Sequence, residues 1–348
     1  MNERTCYLVS VSNIINLKYM GIRNLNKLIK KKCSNTIHKN TLSELSNKII
    51  VVDISVYIFK FSIDNGLIDN MYIMLSLFKK YNIIPLFIFD GKRPEEKKDL
   101  LLQRREERAR MKQKYDDLKC KLDSCDSDSD VNKEEILNNM QTLNKKLVVI
   151  TKNDFNNVKR LINAFGYTYY EAPTEADELC SYLCLTGHAW ACLSEDMDMF
   201  VYGCPRVIRC LNIMENSAVL YNTEQLVKCL NLNQEELRCI CVLSGTDYNI
   251  DKNCDLYKSI ELMEKFKNVT KCQDEDEDED EVDDFYSWVH KNTDYIHDLQ
   301  QINKINHMFE YDYLKDKLEF ENYNTVSNYE INTLEVQHLL SQVGFIFA

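Results

Sequence analysis

Short continuous apolar runs recur along this chain, and three of them end on an aspartate. Lys48-Ile-Ile-Val-Val-Asp53 predicts one strand and Leu86-Phe-Ile-Phe89, before Asp90 and Gly91, a second; Trp190-Ala-Cys-Leu-Ser194, before Asp196 and Asp198, predicts a third. Runs without polar alternation belong to strands covered on both faces. Between them the apolar spacing turns helical. Ile22, Leu25, Leu28 and Ile29 share one face, and helices are predicted over 71–80, 154–165 and 235–243, with a further strand over 167–170. Strands alternating with helices predict an α/β fold, a parallel sheet flanked by helices. Ligands of such sheets bind beyond the carboxyl ends of the strands, the edge to which the three aspartates come.

The stretch from Glu171 to Asp198 adds to that edge. Glu175 and Asp177 follow Pro173 at the predicted start of a helix, and Asp196 and Asp198 follow the third strand. Crowded carboxylates repel one another unless a cation sits among them. Oxygen ligands of this kind suit Mg²⁺ or Mn²⁺. Plainer readings exist for each pair alone. Thr174 can cap the helix with Asp177 three residues on, and acidic residues favour a first turn. An Asp-x-Asp after a strand also suits a surface loop.

Composition alters the picture in two places. The 348 residues suffice for one large or two ordinary domains, and the net charge of −12 by itself argues against nucleic acid. Residues 274–284, however, are acidic at every position but Val282, and without those ten charges the net is −2. That tract reads as a solvated insert. Lys92 to Lys114, directly after Asp90, holds ten basic and five acidic residues. A solvated helix laced with pairs such as Glu106–Arg110 would explain it. A cationic excess beside a cation site suits a phosphate-bearing substrate better.

The remaining features are mostly exclusions. Asp123–Asp130 lacks the glycine and glutamate of a calcium loop and reads as a flexible acidic turn. Fourteen cysteines without a Cys-x-x-Cys, lying in apolar runs, read as reduced core thiols of an intracellular protein. No run reaches the ~18 apolar residues of a membrane span, and the first eighteen residues make a poor signal peptide. Past residue 285 the chain is Asn- and Tyr-rich, with helical patches and no nameable chemistry.

Taken in order, the motifs resemble the flap endonuclease branch of the XPG nuclease family. Val52-Asp53-Ile-Ser55, Phe89-Asp90-Gly91-Lys-Arg-Pro94 and Glu171-Ala-Pro-Thr-Glu-Ala-Asp177 match in order and spacing, with Asp177 where the family has glutamate. Ser194-Glu-Asp-Met-Asp198 and Leu243-Ser-Gly-Thr-Asp247-Tyr248 complete the set, and the match runs from Met20-Gly-Ile22 to about Tyr248. The resemblance implies a PIN-like parallel sheet, a helical arch over the active site and a mainly helical C-terminal region. Residues 1–19 would be an extension and 20–125 the N-terminal nuclease region with the start of the arch. Residues 126–150 would be arch and linker, 151–255 the internal nuclease region and 256–348 the C-terminal region.

The resemblance also implies two Mg²⁺ ions, with Mn²⁺ able to substitute, held by Asp53, Asp90, Glu175, Asp177, Asp196, Asp198 and Asp247. Lys97 and Arg104, one seven-residue helical step apart, fall on the family's basic pair, which neutralises the reacting phosphate. Phe59 stands where a tyrosine often stacks on a base, core packing being its plainer role. The implied activity is 5′ endonuclease cleavage of flap or branched DNA by a monomer in nuclear replication and repair. That nucleus is the host's if the source is a large DNA virus, which the Asn-, Lys-, Ile- and Tyr-rich composition suits.

A 5′–3′ exonuclease, an RNA-directed nuclease and a non-catalytic DNA-binding scaffold stand as alternatives. A phosphatase with an aspartate nucleophile would need a second Asp where Ser55 stands. Three departures mark this chain. Residues 249–255 carry no glycine where the family's Gly-x-Gly turn grips downstream duplex. The segment between Phe59 and Asp90 is short for the family's wedge loop. Gln337 and Leu340 give half of a sliding-clamp signature, with Phe345 and Phe347 out of register.

Overall fold

The computed structural model describes residues 21–63, 66–92, 94–124, 130–249, 255–273, 283–318 and 330–345. Its strands are β1 (Ile37–Thr41), β2 (Ile49–Asp53), β3 (Ile84–Phe89), β4 (Thr168–Glu171), β5 (Ala191–Leu193), β6 (Arg206–Asn212) and β7 (Ser217–Asn222). The first eight helices are α1 (Leu25–Lys32), α2 (Ile54–Ser62), α3 (Leu67–Lys80), α4 (Lys98–Ser124), α5 (Asp130–Lys146), α6 (Lys152–Ala164), α7 (Ala176–Leu185) and α8 (Asp198–Val201). They are followed by α9 (Thr223–Cys229), α10 (Gln234–Ser244), α11 (Leu256–Gln273), α12 (Phe285–Asn292), α13 (Leu299–Met308), α14 (Tyr311–Leu318) and α15 (Thr333–Gln342).

The strands form one sheet in the order β1-β7-β6-β5-β2-β3-β4. From β6 to β4 every pairing is parallel, as expected from the continuous apolar runs. At the other side β7 runs antiparallel to both β6 and β1, so the sheet is mostly parallel with an antiparallel margin. Only four residues separate β6 from β7, and so short a connection can join antiparallel strands but not parallel ones. Asn216, with φ 52°, helps close the turn.

Both faces of the central strands are buried, and successive residues go to opposite cores. Val51, Leu86, Ile88 and Cys192 face one core; Ile50, Val52, Phe87, Phe89 and Leu193 face the other. Helices α1 and α7–α14 cover the first face, while α2, α3, α6 and α15 cover the second. The chain steps outward from β2 to β3 and β4, then crosses back to β5 on the far side of β2. That reversal between β2 and β5 is where an open α/β sheet has its ligand crevice.

Helix α4 belongs to neither core. Its 27 residues span about 40 Å, it packs against α5, and Arg108 donates to the carbonyls of Leu147 and Val148 just beyond α5 (2.8 and 3.0 Å). Of the acidic turn expected over Asp123–Asp130, residues 125–129 lie outside the described residues; α4 runs through Ser124 and α5 starts at Asp130. The C-terminal stretch divides between the two layers, since α15 crosses to the second face and buries Val336, Leu339 and Leu340. Leu340, which with Gln337 gives half of a sliding-clamp signature, is thus core; Phe347, residues 1–19 and most of the acidic tract lie outside the described residues. No described helix is long and apolar enough to cross a membrane. The described cysteines are free thiols, and Cys33, Cys180, Cys184, Cys192, Cys204, Cys239 and Cys241 are buried as expected.

Candidate active site

The crevice between β2 and β5 collects the acids. Asp53 ends β2, and its Oδ2 accepts a hydrogen bond from the Ser194 hydroxyl, just beyond β5, at 2.9 Å. Ser194 Oγ in turn accepts from the Asp196 amide (3.1 Å), and Asp196 Oδ1 from the Asp198 amide (2.9 Å). The short loop after β5 is thereby wound so that both its aspartates point into the crevice. Behind it, buried Arg209 on β6 donates to the Glu195 carbonyl (2.7 Å), and the Glu195 carboxylate accepts from the Cys210 amide (2.8 Å). Cys210 sits at φ 53° in an irregular stretch of β6, which lets its amide turn inward to that carboxylate.

Asp90 follows β3 and caps a helix from a distance. Its Oδ1 accepts from the amide of Ala176, the first residue of α7, at 2.9 Å. The expected Thr174 cap is therefore corrected. Glu175 holds the N-cap position without a side-chain bond, and the Thr174 hydroxyl donates instead to Glu178. A free helix amide facing a carboxylate is a favourable partner for negative charge, so Asp90 does what a local cap would have done. Gly91 allows this approach. A Cβ there would lie 1.8 Å from the Ala172 carbonyl oxygen, and its amide bonds the Thr174 carbonyl at 2.6 Å.

Donor oxygens of Asp177, Asp196 and Asp198 lie within 4.8 Å of one another. Burial, then the charge of Asp90, raises the pKa of Asp53 to about 8. Asp196 is raised by burial and by Asp247, and Asp198 well above the usual range by burial, Asp196 and Asp247. Burial likewise lifts Asp177, against the pull of Lys97. Each of the seven acids named from the sequence thus lies within electrostatic reach of another, and the oxygens of three of them, Asp177, Asp196 and Asp198, converge. Asp198 Oδ1 is buried with no hydrogen-bond partner. An orphaned carboxylate oxygen among raised neighbours is the donor set a hard divalent cation fits.

The two named cations close the pocket from the side of α4. Lys97, just before α4, pairs with Glu175 (2.7 Å) and reaches Asp247 (4.0 Å). Burial disfavours its charge, but Asp177, Glu175, Asp247 and Asp198 outweigh that and raise its pKa. Arg104, two turns into α4, bonds Asp247 at 3.0 Å. Phe59 is 36% exposed on α2, so the core role is corrected and the ring is free to meet a ligand.

Three further residues enter the site. Ser194 ties Asp53 to the β5 loop. The Tyr248 hydroxyl donates to Glu175 at 2.6 Å, and its ring lies 4.6 Å under the Lys97 ammonium. Both adjoin named acids, yet nothing in their own type sets them apart. Gly21, at φ +68°, is the third: a Cβ there would come within 2.5 Å of Asp196 Oδ1 and 2.6 Å of Asp198 Oδ1. In the sequence it stands in Met20-Gly-Ile22, where the family resemblance starts, ahead of the first amphipathic helix.

Comparison with known proteins agrees with this geometry. The XPG N-terminal domain matches residues 20–111 and the XPG I-region residues 166–247, together half of the chain. Flap endonuclease 1 of Methanococcus aeolicus is 28% identical over 286 residues, covering 72% of this chain and 81% of that protein. Its Homo sapiens counterpart is 26% identical over 269 residues, covering 72% and 67%. The catalytic core of Rad2 in complex with a DNA substrate superposes with a TM-score of 0.58 at 20% identity, over 92% of this chain and 95% of that one. With both family regions in order and the acids of both gathered in one pocket, the chain belongs to the XPG family as a flap-endonuclease-like, metal-dependent nuclease.

Proposed function

We propose that this nuclease cuts DNA phosphodiester bonds at flaps and branches, near the 5′ end of the displaced strand. One observation carries the reading: a long exposed basic helix is bonded at its base into a buried carboxylate pocket. Asp53, Asp90, Glu175, Asp177, Asp196, Asp198 and Asp247 would hold the divalent cations, Mg²⁺ with Mn²⁺ as a substitute. When bound, such cations polarise a phosphoryl oxygen and lower the pKa of water.

The chain's own residues do the rest. Lys97 and Arg104 exchange their carboxylate partners for phosphate oxygens and oppose the charge that grows there. The exposed cations further along α4, among them Arg105, Arg108, Arg110 and Lys112, attract the single strand. Phe59 offers a ring on which a base stacks, a contact worth about 1–3 kcal/mol. Work in replication and repair, and in a nucleus, follows from the same reading.

Labelled flap, nicked, single-stranded and RNA-primed substrates with Mg²⁺ test it, beside Asp198→Asn. The wild type should cut the flap at its junction. The variant should lose ~10²–10³ in turnover, the scale of one charge-stabilising group, and keep its affinity. Faster stepwise loss of nucleotides from blunt or nicked ends would replace this reading with a 5′–3′ exonuclease.

A further inference from the structure

Glu178, the residue after Asp177, is fully buried, and of the contacts above only the Thr174 hydroxyl bond reaches it. Its carboxylate meets the Lys317 ammonium at 2.8 Å, across 139 residues of sequence, and accepts the Thr174 hydroxyl. Lys317 sits near the end of α14, its ammonium 5.1 Å over the Tyr313 ring. Around this pair α14 packs on α7, with the Tyr182 and Tyr311 rings stacked (6.3 Å, 15°) and Leu314 and Leu318 buried. The C-terminal region, empty of chemistry by sequence, thus supplies a cation to the helix that carries Asp177.

We propose that Lys317 is a positioning residue for the nuclease reaction. Of the two acids in the first turn of α7, Glu178 is the one paired with α14, and its burial calls for a counter-charge. A buried ion pair that loses one partner leaves the other charge uncompensated. Thr174 alone is then left to it, and a carboxylate drawn toward water turns the first helical turn and takes Asp177 and Glu175 out of aim. Lys317 acts through Glu178 and touches no reacting group. The proposal rests on the nuclease reading of the pocket.

Four variants test it: Lys317→Met, Lys317→Arg, Glu178→Gln and the double variant Lys317→Met/Glu178→Gln. Single-turnover rate, Mg²⁺ concentration at half-maximal rate, DNA affinity and melting temperature are read for each. Lys317→Met should lose tenfold or more in rate and need several-fold more Mg²⁺, with DNA affinity unchanged within twofold. Lys317→Arg should recover part of the loss. The double variant should recover most of it, because a neutral amide needs no counter-charge. Lys304→Met breaks the exposed Lys304–Glu96 pair of α13 and should leave the rate unchanged.

A Lys317→Met enzyme that melts earlier but keeps its rate and Mg²⁺ dependence would overturn the proposal. If that variant does not fold, Glu178→Gln and the double variant are compared, and their rates should be equal. A further loss in the double variant would show that the lysine acts elsewhere. Failure of the nuclease reading itself would be seen separately, as a wild type that cuts none of the substrates.

Discussion

Gly21 shows how much one missing side chain can matter. Its backbone takes a conformation that costs an ordinary residue about 1–2 kcal/mol, and its Cβ would press on the Asp196 and Asp198 carboxylates. Gly21→Ala should therefore lower the single-turnover rate at least ~10-fold, more than its modest loss of stability explains. Rates measured well below the melting temperature check this; a wild-type rate there would remove Gly21 from the site. Six of the acids stood out because they end or follow a strand or open a helix, where local pattern fixes direction; Asp247, in the turn after α10, was legible only through its motif. Glu178 was not. Its partner is 139 residues away, and no local spacing marks a pair whose members meet only through packing. Tyr248 and Ser194 were quoted within motifs, but the bonds that recruit them, to Glu175 and Asp53, are equally non-local.

Among the elements, β2 and β3 were legible almost to the residue, because strands buried on both faces are apolar throughout. β1, β6 and β7 were not read. β1 is half exposed and β6 carries Arg206 and Arg209, so neither shows an apolar run. The antiparallel margin they form was consequently not read. Helix α4 is polar nearly all round, which a helix can afford only away from a core; its sequence announced charge but not length. Two variants separate the work of its base from that of its shaft. Arg104→Ala should lower the single-turnover rate ~10²-fold and affinity little, since the proposed function pairs it with the reacting phosphate. Lys112→Glu should instead weaken capture of flaps and flatten the salt dependence, each single-strand phosphate contact contributing about 0.7 to the slope. Stopped-flow cleavage and binding titrations in rising salt measure both. Equal effects of the two on rate would mean that α4 has no such division.

At the scale of the molecule, the stretch after Tyr248 lacks the glycines that close approach to a duplex backbone favours. Lengthening the downstream duplex by half-turns should therefore raise affinity little; a large gain per step would reveal another surface that grips it. The C-terminal helices, legible only as helical patches, brace α7 through α14 and cover the second core through α15. The order of the sheet carries one more consequence, for the protein's own synthesis. β2 is completed early, yet it is flanked by residues 84–88 on one side and 191–193 on the other, and Asp247 comes later still. Such non-local pairing is slow to form. On the ribosome the acids exist for most of translation as separate fragments with no pocket between them. The acidic cluster is assembled only once β2, β3 and β5 have paired and Asp247 has been added.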